Sequence, residues 1–145
     1  NQETEKGNKF VDRETVSSEQ GKALYQQICA GCHGTDGEGL KAVAPPLKRS
    51  EWVRGSSARL IRIVLHGMQG PLHVMGKRYE PPEILTEMPP LSVLEDSQLS
   101  SILNFIRNEW EEHAEWIMPV DVEMVREMTS GREIPWSENE LLEIQ

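Results

Sequence analysis

The chain's only two cysteines, Cys29 and Cys32, are separated by two residues and followed at once by His33, in the run Cys29-Ala30-Gly31-Cys32-His33. A pair at this spacing has three common chemistries: a redox dithiol, half of a zinc site, or the covalent anchor of a haem. Zinc needs two more ligands at ordered spacing, and no second CxxC and no HxxxH occurs. A thioredoxin-like dithiol needs a strand before it and a βαβ context. The residues ahead of Cys29 read instead as a helix. Ser17 stands as its N-cap with Gln20 three residues on, and Ala23, Leu24, Tyr25 and Ile28 come after it at helical spacing.

The third chemistry uses every residue of the motif. Two thiols add across the two haem vinyl groups as thioethers, and two intervening residues set their separation. The adjacent histidine is then directed at the iron as proximal ligand. Covalent attachment also suits this composition. Mean hydropathy is −0.52 and 37% of residues are hydrophobic, which is lean for 145 residues, and a buried macrocycle adds apolar surface that the chain need not supply.

The rest of the chain reads as helices joined by long loops. Residues 1–16 are polar and are read as a flexible N-terminal tail. Residues 34–50 are rich in Gly and Pro and read as loop. Ser56 caps a predicted helix from Ser57 to His66 that Gly67 stops. Residues 67–92 read again as loop, broken at Gly70-Pro71, Pro81-Pro82 and Pro89-Pro90. A strong amphipathic helix is predicted from Asp96 to Glu112, with Leu99, Ile102, Leu103, Phe105, Ile106 and Trp110 on its apolar face. Short helices are predicted from Asp121 to Met128 and after a Ser137/Glu140 capping box. No strand pattern and no repeat is visible, so the fold class is all-α.

Charge is distributed unevenly. Residues 109–145 carry eleven acids and two bases, a net of −9, which equals the net charge of the whole chain. Residues 39–79 carry eight bases and one acid, Glu51. The asymmetry reads either as solvated faces or as a dipole that orients docking. A net charge of −9 argues against nucleic acid as a partner. No run of 18 apolar residues occurs, so no transmembrane segment is predicted. The start NQETEKGNKF is polar and reads as a mature terminus from which a signal peptide has been removed.

Over about residues 18–112 the sequence resembles the class I cytochrome c family. Gly21 and Tyr25, ahead of the CAGCH motif, are similar to the small and aromatic residues of the family's N-terminal helix. That helix crosses the C-terminal one, here at Phe105 and Ile106. Pro45-Pro46-Leu47 is similar to the family's Pro-x-Leu, which implies that the Pro45 carbonyl accepts a hydrogen bond from His33 Nδ1. Glu87-Met88-Pro89-Pro90 resembles the distal segment, which implies Met88 as the sixth ligand. The implied fold is a class I haem domain with one haem c, held through Cys29, Cys32, His33, Pro45, Leu47 and Met88. His33 and Met88 are the implied iron ligands, and no catalytic residue is expected.

Rivals to Met88 are Met68 and Met75, or a bis-histidine pair using His66 or His73. Met118, Met124 and Met128 lie beyond the core helix, and His113 is read as a surface residue. Lys48, Arg49 and Arg54 are candidates to pair with haem propionates or to frame an electron port. Trp52 is read as a core indole with a propionate donor as its other role. The stretch LHGMQGPLHVMGKRYE followed by MPP resembles the cytochrome modules of periplasmic dehydrogenases. The tail resembles the region after haem domains in large dehydrogenase-like chains. The function expected is single-electron transfer outside the cytoplasm, in the periplasm, with a redox protein or a fused dehydrogenase domain as partner. An open or replaceable sixth position would instead make a haem sensor or a peroxidase-like domain. Residues 17–112 are read as the haem domain. Residues 113–145 are read as an acidic extension packed on it, with Trp116, Met118, Val122, Val125 and Trp136 available to cover a groove.

Overall fold

The computed structural model describes residues 18–110 and 114–145. The reading of residues 1–16 as a flexible tail, Ser17 as a cap and His113 as a surface residue falls outside them. The first helix, α1, runs over 18–33. It is α-helical over 18–24, opens into a π-turn at Tyr25–Cys29, and closes as α-helix over Ala30–His33. A π-turn widens the helix and re-aims the turn after it, and here it stands directly before the CxxCH residues.

Helix α2 (Glu51–Arg54) starts where the Ser50 hydroxyl accepts the Trp52 N–H at 3.2 Å. Helix α3 (Ser57–His66) starts where Ser56 accepts the Arg59 N–H at 3.2 Å, and it stops at Gly67, φ +81°. Helix α4 (Asp96–Glu109) begins with a Glu95/Gln98 capping box. Helix α5 (Pro119–Met128) begins with proline in its first turn, where the missing N–H costs nothing. Helix α6 (Glu138–Leu142) is opened by the Ser137/Glu140 box.

The loop region between α3 and α4 contains four short strands that the sequence pattern does not reveal. β1 (Met68–Gln69) pairs antiparallel with β4 (Glu87–Met88), setting Met68 opposite Met88. β2 (Leu72–Val74) and β3 (Lys77–Tyr79) form a hairpin around Met75 and Gly76, both at positive φ. Strands of two or three residues are too short to show an alternation.

Helices α1 and α4 cross closely because Gly21 has no side chain. A Cβ on Gly21 would stand 2.8 Å from the Ser101 carbonyl carbon and 3.1 Å from Phe105 Cβ, with the Ser101 oxygen nearer still. Tyr25 and Phe105 then pack with ring centroids 5.4 Å apart, and Trp110 closes on both. This crossing belongs to one apolar cluster, with Leu99, Leu103 and Ile106 at its centre. A second cluster gathers Trp52, Ile63, Met68, Leu72, Val74 and Ile84. Met88 is packed against both.

Residues 114–145 add to both clusters. Ile117, Val122 and Val125 enter the first, and Trp136 and Leu141 enter the second, whereas Trp116 and Met118 are exposed. Their polar anchors are specific. Asn104 clasps Ile117 by accepting its N–H at 2.7 Å and donating to its carbonyl at 2.8 Å. Arg126 donates to Asp96 at 2.9 Å and to the Ser92 and Leu94 carbonyls. His66 Nε2 lies 2.7 Å from the Thr129 hydroxyl.

His66 stands in the last turn of α3, where burial, and then Arg132, Arg126 and Arg62, push its imidazole below the ordinary value of 6.5.

The packing makes two predictions. Gly21→Ala gains helix propensity of about 1 kcal/mol, yet overpacking of the backbone contact costs about 1–3 kcal/mol. The variant should melt at a lower temperature than the parent, and an equal or higher melting point would contradict the crossing. His66 binds its proton less readily in the fold than in the unfolded chain. Its contribution is therefore complete above the ordinary histidine value and is lost as pH falls from 6.5 toward the folded value. Melting curves between neutral and mildly acid pH should fall less steeply for His66→Gln, and parallel curves would refute this.

Candidate haem site

An apolar cleft opens between the two clusters, with about 1090 Å³ of empty space that is partly continuous with solvent. Val53, Leu60, Val64 and Ile106 line it from one cluster, and Ile63, Leu72, Val74 and Ile84 from the other. Cys29, Cys32, His33, Pro45, Leu47 and Met88 all line this one cleft. Exposed residues among its walls are Cys32, Leu85, Thr86, Glu87 and Pro89, and they mark its mouth.

His33 ends α1 and is 9% exposed. Its Nδ1 lies 3.0 Å from the Pro45 carbonyl oxygen. A carbonyl only accepts, so Nδ1 carries the proton and the Nε2 lone pair is left free. Burial lowers the imidazole pKa, and the Pro45 bond opposes that shift more weakly. The ring is therefore held neutral, which is the form that ligates metal.

The loop bearing Pro45 is itself fixed. The His33 carbonyl accepts the Gly39 N–H at 2.8 Å, and the Gly37 carbonyl accepts Leu47 N–H at 2.9 Å and Lys48 N–H at 3.0 Å. Gly37 lies so close to the Trp110 ring that a Cβ would stand 2.8 Å from it. Tyr25 is fully buried, and its hydroxyl donates to the Gly34 carbonyl at 2.5 Å. The turn after His33 is thereby tied back to the helix before it. Burial pushes the Cys29 thiol up to about 11, with Cys32 adding to the shift. This is opposite to the acidic thiol that a redox dithiol uses.

Of the rival ligands, Met68 also lines the cleft. Met75 lies exposed at the tip of the β2–β3 turn, its N–H bonded to Glu51, and Met118, Met124 and Met128 are exposed. His66 is engaged with Thr129, and His73 with Glu138 at 3.0 Å; neither lines the cleft. The structure does not place Lys48, Arg49 or Arg54 on the cleft. Lys48 and Arg49 face Glu38 at 3.3 and 3.8 Å, and Arg54 donates to the Arg49 carbonyl. Trp52 is buried against the cleft and donates its indole N–H to the His73 carbonyl at 2.8 Å, fixing the hairpin as a wall.

Gly67 is the site residue that sequence reasoning reduces to a helix stop. A Cβ there would collide with the Met88 carbonyl oxygen and would lie 3.2 and 3.3 Å from Pro90 N and Pro89 C. Its lack of a side chain lets the Met88-Pro89-Pro90 segment lie against the end of α3. The Leu91 N–H to Val64 carbonyl bond, 2.8 Å, pins the far side of that segment.

An apolar cleft with two thiols, a neutral imidazole presenting Nε2 and a thioether on its walls fits a covalently attached haem. A sequence model of the cytochrome c family matches residues 18–110. The chain is 33% identical over 94 residues to cytochrome c-552 of Thermus thermophilus, a match covering 62% of this chain and 67% of that protein. It is 36% identical over 99 residues to the gluconate 2-dehydrogenase cytochrome c subunit of Pantoea cypripedii, covering 64% of this chain and 20% of that one. It is also 33% identical over 73 residues to the Cbb3-type cytochrome c oxidase subunit CcoP of Azospirillum brasilense, covering 46% of this chain and 25% of that one. The latter two relatives are thus several times longer than the part matched here.

The chain belongs to the cytochrome c family. Its fold is the class I cytochrome c fold, its cofactor is covalently bound haem c with its iron, and it is an electron-transfer module.

Tyr25→Phe should lower stability by about 1 kcal/mol, because the half-buried Gly34 carbonyl loses its partner but can turn partly to water. Haem content should stay unchanged. Denaturant midpoints equal to the parent's would show that this bond does not hold the turn.

Proposed function

We propose that Cys29 and Cys32 carry the two thioether links, that His33 and Met88 are the axial ligands, and that the module takes single electrons from a dehydrogenase. The observation that carries this reading is that Cys29, Cys32, His33, Pro45, Leu47 and Met88, spread over sixty residues of sequence, all line one cleft. When bound, haem c supplies an iron that alternates between ferrous and ferric states.

The chain's own residues set the terms of that exchange. His33, its tautomer fixed by Pro45, presents Nε2. Met88 presents a soft thioether, which favours the reduced state and raises the potential. Met88 is preferred to Met68 because it belongs to the Glu87-Met88-Pro89-Pro90 segment. Apolar walls from both clusters exclude water and disfavour added charge, which acts in the same direction. Leu85, Thr86 and Cys32, at the mouth, form the edge through which electrons pass.

The donor is argued from the relatives and from resemblance. One relative is named as the cytochrome subunit of a dehydrogenase and another as a subunit of an oxidase. The LHGMQGPLHVMGKRYE stretch, here the end of α3, strand β1, the β2–β3 hairpin and their turns, is similar to modules of periplasmic dehydrogenases. We place the protein in the periplasm on this basis, as an electron carrier and not itself a catalyst, with either a separate dehydrogenase or a fused catalytic domain as donor. Residues 17–112 then form the haem domain, and 113–145 an acidic extension covering it.

Ferric and ferrous optical spectra of the matured protein and of Met88→Ala test this. The parent should be low-spin in both states, with a weak red iron–sulfur band that Met88→Ala removes. The variant's potential should fall, since a His/Met pair is what raises it. A parent spectrum indifferent to Met88→Ala would remove Met88 from the iron and bring ligand binding or sensing forward.

A further inference from the structure

Strand β1 has two edges, and both are occupied. One pairs with β4, which carries Met88. The other receives the C-terminal segment through a parallel bridge between Met68 and Trp136. That bridge is made by the Trp136 N–H to the Gly67 carbonyl and the Gln69 N–H to the Trp136 carbonyl, each 2.9 Å. The Gln69 side chain adds a bond to the Pro135 carbonyl at 3.2 Å. The same Gly67 whose carbonyl holds Trp136 presses its Cα face against the Met88 backbone. Trp136 and Met88 are thus one two-residue strand apart, on opposite sides of it.

The segment is firmly held at this point. The Trp136 ring is buried in the cluster that Met88 also touches. The Arg132 guanidinium lies over it, 3.4 Å from the ring centroid. Arg132 is in turn gripped by both Glu140 carboxylate oxygens, at 2.9 and 3.0 Å, and Glu140 caps α6 with Ser137. Beyond Trp136, Arg59 of α3 donates to the Leu142 and Ile144 carbonyls. Glu138 accepts the His73 N–H at 2.7 Å, joining the hairpin wall to the same segment. The strap residues themselves lie outside residues 18–110, where the family match ends.

We infer that residues 132–142 are a strap that positions Met88 as axial ligand, with Trp136 as its central positioning residue, acting through β1. A two-residue ladder alone holds a strand weakly. Backing on its second edge fixes where β1, and with it Met88, can stand, so that breaking the iron–sulfur bond gains the loop little freedom. The inference rests on the ligation by Met88 proposed above. The Trp136 ring is packed among the residues of the second cluster and under the Arg132 guanidinium, so what it gives the strap is its bulk, and a phenyl ring should replace it.

The test uses the matured haem protein in four forms: parent, Met88→Ala, Trp136→Ala and Trp136→Phe. The red iron–sulfur band, the midpoint potential and imidazole affinity of the ferric state are measured for each. Trp136→Ala should keep its covalent haem yet bind imidazole about tenfold tighter, equivalent to about 1.4 kcal/mol of weakened ligation. Its band should weaken and its potential fall, while Trp136→Phe stays close to the parent. Should Trp136→Ala fail to fold, Arg132→Gln uncovers the indole without opening the core, and about a threefold tightening is expected of it. Imidazole affinity, band and potential unchanged in Trp136→Ala or Arg132→Gln, whatever happens to melting, would overturn the strap. So would Trp136→Phe behaving as Trp136→Ala does. A parent that matches Met88→Ala in all three readouts would instead strike out the ligation itself, and the strap with it.

Discussion

The apolar core of this chain is divided in two, and the halves meet around a cleft. One half is built on the α1–α4 crossing with most of the apolar face of α3, and the other on Trp52, Ile63, the β2–β3 hairpin and Trp136. Met88 touches both, and the CxxCH residues stand on the same walls. Three contacts help to hold this divided core in place. Gly21 allows the helices to approach, Trp52 fastens the hairpin, and Gly67 lets the Met88 segment lie against α3. A lean apolar composition is consistent with a core completed by its cofactor.

Much of this is legible in the sequence because it is local. CxxCH needs only five adjacent residues. The Ser56 cap, the Gly67 stop and the Ser137/Glu140 box are fixed by residues within four positions, and the structure contains each of them. The Gly21–Phe105 crossing is not local, and resemblance to a family supplied it. The choice of Met88 among six methionines came from the same source. Composition and spacing alone left Met68 and Met75 open, and the structure separates them by exposure only for Met75.

What the sequence concealed is held together by backbone groups far apart in the chain. Strands β1 and β4 are two residues each, and nothing in Met68-Gln69 or Glu87-Met88 signals that they pair. The run Arg132-Glu133-Ile134-Pro135-Trp136 carries no strand pattern, although it bridges to β1; only the burial of Trp136 was open to the sequence reading. The basic residues Lys48 and Arg49 look available for propionates until their common neighbour Glu38 is placed beside them. The acidic C-terminal region has one character in composition and another in space. Its charges are mostly outward, while Ile117, Val122, Trp136 and Leu141 are core.

We propose that one haem occupies this cleft, fastened by Cys29 and Cys32 and ligated from two elements by His33 and Met88. A crystal structure of the matured protein tests it most directly. It should show thioether bonds to both cysteine sulfurs, with the iron between His33 Nε2 and Met88 Sδ, and the Pro45 carbonyl still bonded to Nδ1. Iron bound instead by Met68, by His66 or His73, or left open on its sixth side would contradict it.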